Sequence, residues 1–268
     1  INTRNVAVSS DGKTLMVGNT LPHTIVALSA ETLKPLQVIE VKDKHGVSSR
    51  VSAVYNAPPR NSFVAALRDI PEIWEIPYGP GKHAEGAPFP VRQIVLDDYL
   101  DDFFFDLEYR NLIGAARNAK NGQVVDMNAG RKIADIDLAG MPHLGSGITW
   151  QHDGKPVLAT PHLKGGQVSV IDMQSWKTTK IIETKGPGFF MRSHENTPYA
   201  WVDVFFGPNK DLMHVIDKKT LQIVKTLRPV PGKTAAHIEF DRDGSHAILS
   251  IWDHDGAIIV YDATTLEE

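Results

Sequence analysis

Cysteine is missing from all 268 residues. Its absence excludes thiol nucleophiles, disulfides and cysteine-ligated iron–sulfur clusters in this chain, and without Cys-x-x-Cys-His no c-type haem can be attached to it. Long apolar runs are missing as well. No stretch reaches eighteen residues, so no membrane span is expected, and no signal-peptide pattern is present. Excess positive charge is missing too: a formal charge of -4 argues against a polyanion-binding surface and so against a nucleic-acid partner. The familiar catalytic signatures do not occur. There is no Gly-x-Ser-x-Gly elbow, phosphate loop, His-Glu-x-x-His or calcium loop. The glycine-rich "GPGFF" lacks the strand–helix setting that a phosphate cradle needs.

What remains is ordinary globular material, 42% hydrophobic and 22% charged, carrying eleven histidines that can turn positive in acid. Its strongest feature is a repeat. "GQVVDMNAGRKIADI", "GQVSVIDMQSWKTTKII", "DLMHVIDKKTLQIVKTL" and "GAIIVYDATTLEE" each set an acid and a polar turn after a β-branched run. The acids Asp126, Asp172, Asp217 and Asp262 stand 46, 45 and 45 residues apart. "TIVALSAETLKPLQVIEV" repeats the pattern near the start, and "EIWEIPY" stands about where a second copy falls. Asp-Gly turns at Asp11, Asp153 and Asp243 feed further strands.

A period near 45 residues with four short strands per unit predicts an all-β fold, a β-propeller of four-stranded antiparallel blades with about six blades in this chain. The whole span, residues 1–268, reads as one propeller domain. Its abrupt ends suggest part of a longer ring of seven or eight blades. The anchor acids are expected to face solvent. "KDKHGVSS" and "GPGKHAEGAPFPVRQ" read as loops, and "LDDYLDDFFFDLEYRN" as a strand behind an acidic loop rather than a helix.

Propellers bind ligands on the face where loops lead into the innermost strands. Here those approaches are "INTRNVAV", "GVSSRVSAV", "LDDFFFD", "GMPHLGSGI", "GPGFFMRSH" and "GKTAAHIEF". They carry Arg4, Arg50, Asp101, Asp102, His143, Lys233 and His237, with Phe189 and Phe190 as flat apolar area. His143 and His237 precede inner strands of different blades and are expected to meet at one mouth. Arg4 and Arg50 read equally well as partners of acids on adjacent blades. His45, His83, His152, His214, His246 and His254 read as structural or solvent-facing. Two arginines, two histidines and two carboxylates around one mouth suit a large anionic ring ligand.

The stretches "NTRNVAVSSDG", "RVSAVYNAPPRNSFVAALRDIPEIWEI", "DDFFFD", "GMPHLGSGITW", "LATPHLKGGQVSVIDM", "RSHENTPYAWVD" and "GKTAAHIEFDRDGSHAILSIW" resemble the haem d1-binding propeller of the cytochrome cd1 family. The resemblance implies an eight-bladed ring with haem d1 held noncovalently, its axial histidine upstream of Arg4, and often a haem c on a further N-terminal domain. In the family's nitrite reductases two histidines give protons to nitrite. His143 matches the second, while Asp101 and Asp102 stand near where the first is expected. That difference points to the branch of the family that completes haem d1 by oxidising a propionate of dihydro-haem d1 to an acrylate. His143, Asp101 and Asp102 are then the catalytic candidates, and Arg4, Arg50, His143, Phe190, Arg192, His194 and His237 the cofactor contacts. Nitrite reduction, haem carriage without chemistry and plain protein binding are the competing readings. A periplasmic location and contact with the nitrite reductase follow from the resemblance alone.

Overall fold

The computed structural model describes residues 2–79, 89–116, 121–138 and 142–268. His83 and most of the "GPGKHAEGAPFPVRQ" loop lie outside them, as do Gly140 and Met141.

Apart from two short 3₁₀ turns, the described residues form strands and connections. The first sheet holds β1 (Asn2–Val8), β2 (Thr14–Leu21), β3 (Thr24–Ser29) and β4 (Pro35–Glu40). The second holds β5 (Val51–Ala57), β6 (Ser62–Leu67), β7 (Glu72–Pro77) and β8 (Arg92–Val95). The third holds β9 (Asp102–Phe105), β10 (Asn111–Ala115), β11 (Asn121–Asp126) and β12 (Arg131–Asp137). The fourth holds β13 (Ile148–His152), β14 (Lys155–Pro161), β15 (Gln167–Asp172) and β16 (Lys177–Glu183). The fifth holds β17 (Met191–Ser193), β18 (Tyr199–Asp203), β19 (Met213–Asp217) and β20 (Gln222–Leu227). The sixth has three strands, β21 (Thr234–Phe240), β22 (His246–Trp252) and β23 (Ala257–Asp262).

Every sheet is an up-and-down antiparallel ladder of consecutive strands, the build of propeller blades, and the all-β propeller class holds. The acidic stretch before "FFF" is a loop followed by β9, as its mixed pattern predicts. No helix among the described residues is long and apolar enough to cross a membrane.

The chain divides into two compact units, Ile1–Ala134 and Asp135–Glu268. In the first, Met16, Ile25, Val54, Phe63 and Trp74 pack one core cluster, and Val64, Ile73, Phe103 and Leu112 another. In the second, Val170, Met191 and Val202 pack together, and Trp201, Val215, Leu249 and Tyr261 form a further cluster. Each such buried side chain contributes about 1.5–3 kcal/mol of transfer free energy.

The repeating acids correct one expectation. They are not plain solvent-facing residues: Asp126 and Asp172 are buried, Asp217 half-buried, and only Asp262 exposed. Each carboxylate accepts two amides of its own turn, for example Asn128 and Ala129 on Asp126 at 2.8 and 2.9 Å. The same pairs are Gln174 and Ser175, Lys219 and Thr220, and Thr264 and Thr265. Those amides hold all four carboxyls below their ordinary range. Four residues after each acid the chain turns left-handed, at Gly130, Trp176, Leu221 and Leu266, and that residue's amide returns to the acid's carbonyl. The acid recurs because it closes the outer hairpin, an Asx turn inside a sheet.

Candidate functional site

In the second unit, the loop between β16 and β17 delivers two phenylalanines. Gly188 permits this, since a Cβ there would lie 3.0 Å from the Asp203 carbonyl oxygen and 3.1 Å from the Val202 and Pro161 side chains. Phe189 and Phe190 follow, half-buried, with ring centroids 4.5 Å apart. Phe205 packs on Phe189 at 5.1 Å, and Trp252, at the end of β22, stands 6.0 Å from Phe190 and 5.4 Å from Phe205. Trp252 and Phe206 remain 48% and 39% exposed, so the cluster is an aromatic platform open to solvent.

Both imidazoles singled out from the sequence stand on this platform. His143 begins the 3₁₀ turn at 144–146 and packs 4.2 Å from Phe189. Its Nδ1 donates to the Phe189 carbonyl at 2.6 Å. A carbonyl only accepts, so Nδ1 carries the proton and the Nε2 lone pair belongs to the neutral ring. His237 lies 4.5 Å from Phe190 and 6.5 Å from Trp252. It is the extra residue of a bulge in β21, where the ladder steps from Ala236–Ser250 to Ile238–Leu249 and His237 takes φ 60. Glu239 lies between the two side chains, 3.2 Å from Arg192 Nε and 3.4 Å from His237 Nε2.

Beneath the platform lies Asp203, fully buried at the end of β18. It accepts the amides of Phe189 at 2.7 Å and Phe190 at 3.1 Å. Burial pushes its carboxyl up to about 7, against the pull of the Phe189, Phe190 and His237 amides.

Two residues expected nearby go elsewhere. His194 sits past the other end of β17, its Nδ1 accepting the Asn196 amide at 3.2 Å, and it packs against Gly244 in the turn between β21 and β22. Lys233 pairs with Asp255 at 2.6 Å. His194 follows β17 while Phe190 precedes it, so the two lie at opposite ends of that strand, and Lys233 is held by Asp255.

In the first unit the remaining candidates engage one another's neighbours. Arg4 donates to the Ser52 carbonyl at 2.8 Å rather than to an acid. Arg50 forks onto Asp69 of its own sheet, Nε to both oxygens at 3.1 and 2.9 Å, which correct the adjacent-blade pairing. Asp101 and Asp102 engage different partners among the described residues. Asp101 lies 3.5 Å from Arg68, while Asp102 accepts the Tyr55 hydroxyl at 2.9 Å and the Phe103 amide at 2.8 Å. Tyr55 packs edge-on to Phe103 at 5.0 Å, and burial followed by the Asp102 charge pushes its hydroxyl well above the usual tyrosine range.

Sequence reasoning missed Asp203, Glu239 and Tyr55. Asp203 and Glu239 lie inside quoted stretches, "PYAWVD" and "HIEF", but alternate with apolar strand residues and so read as pattern rather than chemistry. The aromatic run "FF" before β17 was the one local signal for the platform.

A stacking surface flanked by two imidazoles and an arginine has the chemistry to take a flat anionic ring. The comparisons agree: the cytochrome D1 heme domain matches residues 1–268, and the chain belongs to that family. It is 54% identical over 268 residues to the dihydro-heme d1 dehydrogenase of Pseudomonas aeruginosa, covering all of this chain and 53% of that protein. To protein NirF of the same organism it is 29% identical, over 95% of this chain and 65% of that one. To the nitrite reductase of Stutzerimonas stutzeri it is 24% identical, over 98% and 53%. A solved structure of the dihydro-heme d1 dehydrogenase NirN in complex with DHE superposes with a TM-score of 0.95 at 54% identity, covering 100% of this chain and 56% of that one. The chain thus spans about half the length of its more similar relatives.

Proposed function

We propose that this chain is the tetrapyrrole-binding part of a dihydro-haem d1 dehydrogenase, which oxidises a propionate side chain to an acrylate. The observation that carries the reading is His143, oriented by the Phe189 carbonyl on an open aromatic platform, in a chain 54% identical throughout to a protein of that name. The residues fit a tetrapyrrole: Phe189, Phe190 and Trp252 offer stacking area for the macrocycle, and Arg192 a fork for one of its carboxylates.

Converting –CH2–CH2– into –CH=CH– removes two protons and two electrons. His143 Nε2 takes one proton, because its lone pair is the ring's remaining basic position once Nδ1–H is committed to Phe189. The second proton leaves to solvent. The two electrons would pass to a haem, which would supply the redox chemistry when bound while this chain's residues supply orientation.

The test mixes the full-length protein with dihydro-haem d1. The absorption spectrum should move to that of haem d1 and the mass should fall by two hydrogens. Tight binding with both unchanged would overturn the enzyme reading and favour a carrier, for which His143→Ala leaves haem transfer intact. Turnover of nitrite with an artificial donor would favour a reductase. The same reading carries a periplasmic location and a passing contact with the cytochrome cd1 nitrite reductase. Cell fractionation tests the first, and cross-linking that never captures the reductase removes the second.

A further inference from the structure

We infer that Asp203 is the positioning residue of the platform, a buried carboxylate that holds the Phe189–Phe190 arm as one ligand-ready surface. Its place in the tetrapyrrole site rests on the dehydrogenase reading above, but the tie itself is a matter of geometry.

Asp203 is wholly buried, yet its side chain serves no turn of its own. It spends its acceptors on segments far along the chain. Oδ1 takes the Phe189 amide at 2.7 Å and the Phe190 amide at 3.1 Å, and Oδ2 takes the Phe190 amide at 3.2 Å. The Asp203 amide in turn donates to the Phe190 carbonyl at 3.2 Å, so Phe190 is held at both of its backbone polar groups.

One carboxylate therefore sets the backbone under both rings that face His143 and His237. The chain of contacts is short. Asp203 fixes Phe189, the Phe189 carbonyl fixes the His143 tautomer, and Phe190 sits 4.5 Å from His237. Asp203 touches none of the platform's open face, so it acts only through these groups.

The test replaces Asp203 in the full-length protein labelled with 5-fluorotryptophan. The five tryptophans of these 268 residues each give a fluorine resonance, and Trp252→Phe assigns the one on the platform. In Asp203→Asn an amide –NH2 replaces one acceptor oxygen and faces backbone donors. The Trp252 resonance should move or broaden while the other four stay, with thermal unfolding still cooperative. Affinity for dihydro-haem d1 should fall by about tenfold or more. Asp203→Glu, which keeps the charge but displaces it by a methylene, should do the same. An unmoved Trp252 signal with unchanged affinity overturns the inference. So does failure of both variants to fold, which would make Asp203 a residue of the whole unit rather than of the platform. If the wild type does not bind dihydro-haem d1, the dehydrogenase reading falls. The fluorine shift still decides the role of Asp203.

Discussion

His143 and Phe189 are 46 residues apart in the chain and joined by a 2.6 Å hydrogen bond from imidazole Nδ1 to a backbone carbonyl. Because the acceptor is main chain, no substitution of the Phe189 side chain removes it. The bond requires a proton on Nδ1 of His143, since the carbonyl can only accept. Replacing His143 by alanine or glutamine should lower the dehydrogenation rate by about 10²–10⁴-fold, the usual worth of a positioned acid–base group. Binding of dihydro-haem d1, followed by titration of its absorption, should change far less. A rate within twofold of wild type would remove His143 from the chemistry.

Phe190 stands between His143, His237, Phe205 and Trp252. Phe190→Ala should weaken ligand binding by about 1–2 kcal/mol, a lost aromatic contact together with the area it covered. Phe190→Leu, which keeps the bulk, should recover part of that. Equilibrium titration measures both, and equal affinities for the two variants would show that bulk contributes nothing and the aromatic face carries the contact.

His214 predicts acid sensitivity. It is buried in β19, with Nδ1 2.9 Å from Thr226 Oγ1 and Nε2 accepting the Lys185 amide at 3.1 Å. Burial, helped by the Lys185 charge, pulls it from 6.5 down to about 4. The unfolded chain therefore binds a proton that the folded one refuses. Stability is full above pH 6.5 and drains as pH falls toward 4, by roughly 2 kcal/mol at pH 5. Asp203 has the opposite sign. Its carboxyl is raised to about 7, so its contribution is full below pH 3.8 and is lost as pH rises through 7. In denaturant melts, His214→Gln should flatten the loss between pH 6.5 and 5. A slope identical to wild type would assign that loss to other groups.

The outer turns offer a stability test remote from the site. Leu33 ends the same kind of turn as Leu221 and Leu266, left-handed at φ 57, and is 63% exposed. Its amide returns to the Ser29 carbonyl at 2.8 Å. Leu33→Gly removes the Cβ clash of that conformation, and at so exposed a position little packing is lost. A gain of about 0.5–1 kcal/mol is expected after glycine's extra unfolded-state entropy is subtracted. Conversely, Asp172→Ala strips three hydrogen bonds from its turn and should cost about 1–2 kcal/mol. Melting midpoints of the two variants should move in opposite directions.

Much of the fold was legible because its cues are local. An acid, its two turn amides and a left-handed residue four positions on lie within five residues of one another, so the period of Asp126, Asp172, Asp217 and Asp262 is written in the chain itself. His143, Phe190, Arg192 and His237 were legible for a related reason: each stands on the approach to an inner strand, where glycine and serine leave little else to notice. His194 misled because two residues decide which end of a three-residue strand a side chain occupies. Asp203 and Glu239 stayed hidden because their acidity falls on strand positions that alternate with buried valines and isoleucines, and nothing within a few residues names their partners.

The sequence by itself determined the sheets, the turns that close them and the absence of thiol chemistry, since each depends on residues near one another or on residue type alone. Tertiary structure decided the site. Asp203 meets amides 13 and 14 residues away, and whether a carboxylate lies under a ring or beside it depends on bulges and loop approach that no short-range pattern encodes.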